Sequence, residues 1–175
     1  MTRKLFIFDD PDRFLAGTVG EPGDRSFFLQ ARKGDAMISV ALEKVQVAAL
    51  AQRLDDLLEA VEAPSGAGPA DDLPLEEPVV EHFRVGAMAL AWDAETDAVI
   101  IEAQTPTEDG EYAEFPDEAQ DGPDLLRVRI DAPTARAFAR RAEALVASGR
   151  PACPFCGEPL DPQGHFCARN NGQLN

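Results

Sequence analysis

The sequence predicts an α+β fold: a mostly antiparallel sheet from two strand-strand-strand-helix repeats, followed by a short C-terminal zinc-knuckle tail. Three observations predict it. Short segments alternate between apolar and polar residues, as half-buried strands do. Two longer segments carry an apolar stripe at helical spacing. All three cysteines and one of the two histidines lie within residues 153–167 of the 175-residue chain.

The predicted strands form two sets that resemble each other. A first strand is expected at about residues 4–8. After it, residues 14–18 have a counterpart in 83–87, residues 26–31 in 98–103, and residues 38–42 in 126–130. Turn-forming residues at 21–24, 33–35 and 93–97 predict hairpins between these strands. We interpret the chain as an internal duplication.

An amphipathic helix is expected to follow each set of strands. Asp131 is a predicted N-cap with Pro133 in the first turn, and Gly149 is a predicted end for the second helix. Because each helix has a single apolar stripe, both helices should lie on the sheet and cover its hydrophobic face. The stripes consist of Val47, Leu50, Ala51, Leu54, Leu57, Leu58 and Val61, and of Ala135, Phe138, Ala139, Ala142, Leu145 and Val146.

We predict a duplicated α+β domain over residues 1–150 and a zinc-binding tail over residues 151–175. Two acidic segments lie within the domain: residues 62–81 hold six acids, residues 106–124 hold eight, and neither contains Lys or Arg. The first is rich in Pro and Gly and predicts a flexible linker or long loop with little to bury. The second segment carries Tyr112 and Phe115, whose aromatic side chains could pack against the rest of the domain and pin the segment to it.

The chain as a whole is acidic, with 32 acidic and 16 basic residues and a formal charge of −16. The two acidic segments hold 14 of these acids, so the remaining residues carry 18 acids against 16 bases. Negative charge repels phosphate backbones and anionic lipids, so we expect neither nucleic acid nor a membrane as partner. Apolar runs of about six residues are far shorter than the roughly 20 that span a bilayer. The four apolar residues before Asp9 are too few for a signal peptide, which predicts a cytoplasmic location.

The strongest chemical signal is the donor set Cys153, Cys156, His165 and Cys167. A C-x-x-C turn lets two thiolates converge on one point, and Gly157 can take the positive φ that such a knuckle favours. The segment at residues 158–164, between Cys156 and His165, contains two prolines and a glycine, and it can loop back. On an extended strand, His165 and Cys167 face the same side. The set is therefore predicted to bind one Zn²⁺ tetrahedrally.

Other uses of the cysteines are a dithiol redox pair or free thiols. A redox C-x-x-C motif normally opens a helix, and Pro159 and Pro162 disfavour a helix here. Four protein ligands leave no open position for water or substrate, so the predicted zinc is structural. Because the short tail cannot build its own core, metal binding would supply most of its order.

Basic residues suggest a second kind of site. A cluster near the end of the domain contains Arg127, Arg129, Arg136, Arg140, Arg141 and Arg150. It would bind an acidic partner or the protein's own segment 106–124. The glycines near Arg13 and Arg25 could receive an anion, but they lack the Lys-Ser/Thr of a P-loop, and we interpret them as a bulge and a turn. His82 is expected at a strand edge.

The sequence predicts no catalytic residues, because no Ser/His/Asp set and no carboxylate pair is distinguished by its spacing. We expect a cytoplasmic zinc-binding protein, a non-enzymatic adaptor or accessory subunit for an unidentified protein partner. The alternative is a small-molecule or anion-binding protein, or an enzyme, with a cleft near Arg13, Arg25, Arg127 and Arg129.

Seven segments of the chain carry a resemblance to known sequences: residues 6–14, 16–23, 28–31 and 40–44, and in the tail residues 153–162, 164–167 and 171–172. Together they resemble one known family, the domain-of-unknown-function family 3090. The resemblance covers nearly the whole chain except the acidic segments. It implies an actinobacterial type of conserved protein with a zinc-ribbon-like tail. It implies no activity and no catalytic residue.

Overall fold

A computed structural model describes residues 2–21, 23–148 and 154–155 of the chain. Within them, eight strands and two helices follow one another. The elements are β1 (Leu5–Asp9), β2 (Arg13–Val19), β3 (Ser26–Lys33), β4 (Ala36–Leu42), α1 (Lys44–Ala60), β5 (Glu81–Arg84), β6 (Ala87–Asp93), β7 (Ala98–Gln104), β8 (Leu125–Asp131) and α2 (Ala132–Ala147).

The strands form two four-stranded sheets. The N-sheet has the order β2-β3-β4-β5 and the C-sheet the order β1-β8-β7-β6. Within each sheet the three consecutive strands pair antiparallel, and the fourth strand pairs in parallel at one edge. The coarse prediction of an α+β fold with mostly antiparallel strands is confirmed. The prediction of one sheet is wrong, because the two sets of strands build separate sheets.

The two halves exchange their leading strands. β1 precedes the first set of strands but pairs with β8 of the second. β5 precedes the second set but pairs with β4 of the first. The chain changes sheet abruptly after β5: the Val85 N–H donates to Ala41 O in the N-sheet at 2.8 Å, and the next N–H, of Gly86, donates to Gln104 O in the C-sheet at 2.7 Å.

One part of the predicted repeat is misaligned. The counterpart of β2 is β6, not residues 83–87, which contain the end of β5, the change of sheet and the first residue of β6. Residues 14–18 and 83–87 resemble each other only because each begins with Phe and has Gly three residues later. Alternation of Met88, Leu90 and Trp92, all packed against the core, was the signal for the true strand. The other two strand pairs and both helices are equivalent as predicted.

A single large core joins the inner faces of both sheets to both helices. The apolar stripe of α1 is buried at Val47, Leu50, Leu54 and Leu58, and α2 stacks Phe138 on Phe14 of β2 with ring centroids 4.6 Å apart. In α1, Gln46 Oε1 accepts from the Glu43 N–H in a capping box. In α2, Asp131 caps the first turn as predicted, accepting from the Thr134 N–H at 2.9 Å.

Candidate functional site

The predicted metal ligands Cys153, Cys156, His165 and Cys167 lie outside the described residues. Within residues 2–21, 23–148 and 154–155, no group of three or more His, Cys, Asp or Glu side chains could hold a metal ion. The zinc site therefore stays a prediction from sequence. His82 lies where it was expected, on the edge strand β5, and its Nδ1 accepts from the Ser39 N–H at 3.2 Å.

The four arginines of the alternative cleft lie in three separate places and do not form one cleft. Arg13, on the N-sheet, binds the carboxylates of Asp71 at 2.7 Å and Glu76 at 3.3 Å. The Arg13 hydrogen bond holds the pKa of Asp71 below its usual value. Arg25, in the turn before β3, donates to the last carbonyls of α2, Leu145 O and Ser148 O, both at 2.9 Å. These contacts compensate the negative end of the helix dipole.

Arg127 and Arg129 lie on the outer face of the C-sheet, the face turned away from the core. Arg127 Nη2 lies 3.0 Å from Asp117 Oδ1 and 3.5 Å from Glu102 Oε2. Arg129 Nη1 lies 2.5 Å from Asp93 Oδ2, and this hydrogen bond lowers the pKa of Asp93 to about 2. Binding of the arginine cluster to the protein's own acidic segment is confirmed for Arg127, since Asp117 belongs to segment 106–124.

Two more arginines of the cluster hold the chain after α1. Arg136 donates to the carbonyls of Ala63 at 3.1 Å and Pro64 at 2.8 Å. Arg141 donates to Ala16 O of β2 at 2.8 Å and to the carbonyl of Asp71. Burial lowers the pKa of Arg141. Most of the cluster thus binds the protein's own backbone and carboxylates, while Arg150 lies outside the described residues.

The segment at 62–81 is a long loop, one of the two sequence interpretations; the other, a flexible linker with little to bury, is wrong because this loop packs on the domain. It crosses the outer face of the N-sheet and buries Leu75 against Leu15, Phe28 and Ala41. Gln30, only 1 % exposed, fixes it: its Nε2 donates to Glu76 O at 3.0 Å, and its Oε1 accepts from the Glu76 N–H at 2.8 Å. The side-chain amide thereby pairs with the segment as a neighbouring strand would.

The segment at 106–124 is held on the C-sheet by an equivalent device. Gln104, fully buried, donates to Ala113 O at 2.5 Å and accepts from the Ala113 N–H at 3.1 Å. Tyr112 donates its hydroxyl to Glu102 at 2.9 Å, and Arg3 lies over the ring of Phe115 at 5.5 Å. The prediction that Tyr112 and Phe115 pin this segment is confirmed. Sequence reasoning missed Gln30 and Gln104. The only sequence signal for them was a side-chain amide in a strongly apolar strand: Gln30 lies within β3, and Gln104 ends β7.

An open depression of about 440 Å³ lies beside this second segment. It is lined by Arg3, Glu102, Tyr112, Glu114, Phe115, Pro116 and Arg127. The positive charges of its two arginines equal the negative charges of its two glutamates, so the depression has no net charge. Arg3 also donates to the carbonyls of Pro123 at 2.8 Å and Pro116 at 3.1 Å. An anion entering here would compete with internal partners for both arginines, so the depression is a weak anion site.

The hydroxyl of Tyr112, the single tyrosine, offers a direct test of this packing. Burial and the hydrogen bond to Glu102 raise the pKa of Tyr112 to about 12, from an ordinary value of 10.0. Absorbance near 295 nm should therefore show the phenolate forming near pH 12. Because the folded-state pKa lies above the unfolded one, this contribution to stability is complete below pH 10 and is lost as pH rises through about 12.

The control for this titration is the unfolded chain in denaturant, whose phenolate should form near pH 10. Near-ultraviolet circular dichroism establishes that the protein is still folded at each pH. A midpoint near 10 in the folded protein would contradict the contact between Tyr112 and Glu102.

Comparison with known families gives one match. The model of a family described as "Protein of unknown function (DUF3090)" matches residues 6–167. No curated protein and no solved structure matches the chain. Among the described helices, neither is long and apolar enough to cross a membrane. The matched range includes the four predicted zinc ligands, and the family's description assigns them no role.

Proposed function

Since the chain belongs to the DUF3090 family of unknown function, whose description names no activity, we propose that it is a non-enzymatic adaptor or accessory subunit with a structural zinc ion. In this proposal the domain is a rigid platform, and the tail after α2 carries the metal. The tail either caps the platform or presents Phe155 and Phe166 to a protein partner in the cytoplasm.

The observation that carries the proposal is the use of the domain's arginines. Arg13 and Arg127 bind carboxylates of the two acidic segments, and Arg25 binds the end of α2. An anionic substrate would have to displace these partners at three separate places. Because these arginines already pair with the protein's own groups, they stabilise the shape of its surface and are not available to a substrate. Such a surface suits recognition by a protein partner better than conversion of a small ligand.

The donor set supports zinc by its chemistry. Three thiolates and one imidazole form a soft, four-coordinate set that Zn²⁺ prefers. Cys153, Cys156, His165 and Cys167 would hold the ion. Zinc would supply cross-links between distant parts of the tail, with no position open for catalysis.

We expect the protein purified under reducing conditions to contain about one zinc per chain, measured by elemental analysis. Cys156→Ala should lose the metal, whereas Gln163→Ala, in the same tail but not one of the four predicted ligands, should keep it. A ratio near zero that reconstitution with zinc does not raise would contradict the proposed site.

Metal loss should expose the tail to proteolysis. Phe155 and Phe166 lie among the four ligands, so chymotrypsin cleavage at these two residues reports on the order of the tail. Cys156→Ala, or wild type with a chelator, should be cut much faster there than untreated wild type or Gln163→Ala. Equal cleavage of Cys156→Ala and wild type would show that zinc does not order the tail.

The adaptor role is tested with full-length wild type and Cys156→Ala as baits in extracts of the native host. We expect a protein partner that binds wild type and Gln163→Ala and is lost from Cys156→Ala. Recovery of the same proteins by all three baits would contradict an adaptor role that depends on the zinc tail.

A further inference from the structure

The chain after α1 covers the junction of α2 with the edge strand β2. Arg136 of α2 binds the carbonyls of residues 63 and 64, and the Gly68 N–H donates to Pro133 O at 2.8 Å. Arg141 then joins the carbonyl of Ala16, on β2, to Asp71. The segment that follows one helix therefore passes over the other helix and closes the edge of a sheet.

The equivalent junction in the other half, between α1 and the edge strand β6, is an open groove of about 210 Å³. It is lined by Ala49, Leu50, Arg53, Leu57, Met88 and Leu90. No described residue beyond β6 pairs with its outer edge, because β6 ends the C-sheet. An edge strand of this kind presents unpaired backbone N–H and C=O groups.

The internal duplication relates the two junctions residue by residue. Arg53 stands nine residues into α1, as Arg141 stands nine residues into α2, and Leu90 has the position in β6 that Ala16 has in β2. Arg141 bridges its strand to a covering segment. Arg53 is exposed, and within the described part of the chain it has no hydrogen-bond or ion-pair partner. The groove between α1 and β6 thus has residues equivalent to those of the junction between α2 and β2, but no segment among the described residues covers it.

The residues that follow Ser148 start close to the groove between α1 and β6, so they could form the covering segment. The helices run antiparallel, since Arg136 near the start of α2 contacts the chain just after α1, and Glu143 further along α2 lies close enough to Asp55 of α1 for the two carboxyl groups to interact and raise the pKa of Glu143. The end of α2 therefore lies beside the first half of α1. At about 3.3 Å per extended residue, roughly four residues cross a helix about 10 Å wide. The segment after Ser148 is long enough to do so.

We propose that residues 149–175 dock into the groove between α1 and β6, as the segment after α1 docks between α2 and β2. Phe155, which is half exposed and is not among the residues that line the groove, is the apolar residue that would enter it on docking. A shift of 88 residues relates the helices and places the counterpart of Asp71 at position 159. Glu158 and Asp161 flank that position and are the carboxylates that pair with Arg53. This inference rests on the duplication and not on the proposed zinc.

Hydrogen exchange of the full chain tests the docking. Arg53→Glu and Phe155→Ser change exposed side chains and should leave the domain folded. Each should speed the exchange of the amides of residues 87–93 by about tenfold relative to wild type. Gln52→Glu, the matched control, adds a carboxylate next to the groove without lining it and should leave this exchange unchanged. Unchanged exchange in both Arg53→Glu and Phe155→Ser would overturn the proposal.

Two further measurements separate this inference from its rivals. If protection of β6 rises with protein concentration, a second copy occupies the groove and the proposal is wrong. Zinc content is measured in the same samples. Zinc bound in wild type, with unchanged exchange of β6 in both Arg53→Glu and Phe155→Ser, would refute docking alone. Faster exchange of β6 in the two variants, with no zinc bound in wild type, would refute the zinc site alone.

Discussion

Gln104→Ala is expected to lower the free energy of unfolding by about 2–3 kcal/mol, although the residue contacts no ligand. Gln104 is fully buried, and its amide makes both hydrogen bonds of the Ala113 backbone. Removing the amide leaves the partly buried N–H and C=O groups of Ala113 without their side-chain partner and opens a cavity beneath segment 106–124. Gln30→Ala should have a similar effect through Glu76.

Urea denaturation measures the loss, and a Glu-specific protease shows where it arises. Trypsin cannot report on these segments because neither contains Lys or Arg. We expect cleavage at Glu111 and Glu114 to accelerate in Gln104→Ala, and cleavage at Glu76 and Glu77 to accelerate in Gln30→Ala. Because the two glutamines lie in different sheets, the double variant should show nearly additive losses.

The matched control is Gln52→Ala. Gln52 is exposed on α1 and bonds only to Asp56 one turn away, so its loss should change the free energy of unfolding by less than about 0.5 kcal/mol. If Gln104→Ala were as stable as Gln52→Ala, the amide would not hold the segment, and the description of the second acidic segment as packed would be wrong.

Gly86→Ala should be more destabilising than its single methyl group suggests, by about 3 kcal/mol. A Cβ at Gly86 would lie 2.4 Å from Pro106 Cα and 2.7 Å from Pro106 N. Neither neighbour can move aside, because both are backbone. The Gly86 N–H also makes the hydrogen bond to Gln104 O by which the chain enters the C-sheet. A shift here would disturb the change of sheet between β5 and β6.

Gly66→Ala provides the comparison. A Cβ at Gly66 meets no atom within 4 Å, so this variant should be neutral or slightly more stable. Gly17→Ala should be intermediate, because its Cβ would meet the side chain of Leu75, which can withdraw with the first acidic segment. Thermal unfolding of the three variants checks the order. Equal stability of Gly86→Ala and Gly66→Ala would contradict the close approach to Pro106.

Much of the fold follows from local signals. The helices, the Asp131 cap and the three hairpins are local features, because periodicity and turn chemistry depend on neighbouring residues. The position of Arg127 and Arg129 on the face opposite Leu126 and Val128 also follows from strand alternation.

The candidate site was harder to predict, for a physical reason. Charge density in segment 62–81 predicted hydration, since acids repel one another. Arg13 and Arg141 neutralise Asp71, and Leu75 contributes apolar burial. These partners lie many residues away in sequence, and no local pattern pairs them. The alternative of a cleft near Arg13, Arg25, Arg127 and Arg129 was left open for the same reason, because the internal partners of these arginines cannot be identified from local sequence.

The sequence by itself determined both helices, every strand except β5 and β6, which face of these elements is buried, and which four residues could bind zinc. Each of these depends on spacing along one stretch of chain. Only the tertiary structure decided that β1 and β5 exchange sheets, that Gln30 and Gln104 hold the acidic segments, and that no segment among the described residues covers the groove between α1 and β6. Alternation tells which side of a strand is apolar, but the neighbouring strand is selected by packing and hydrogen bonds between residues far apart in the chain.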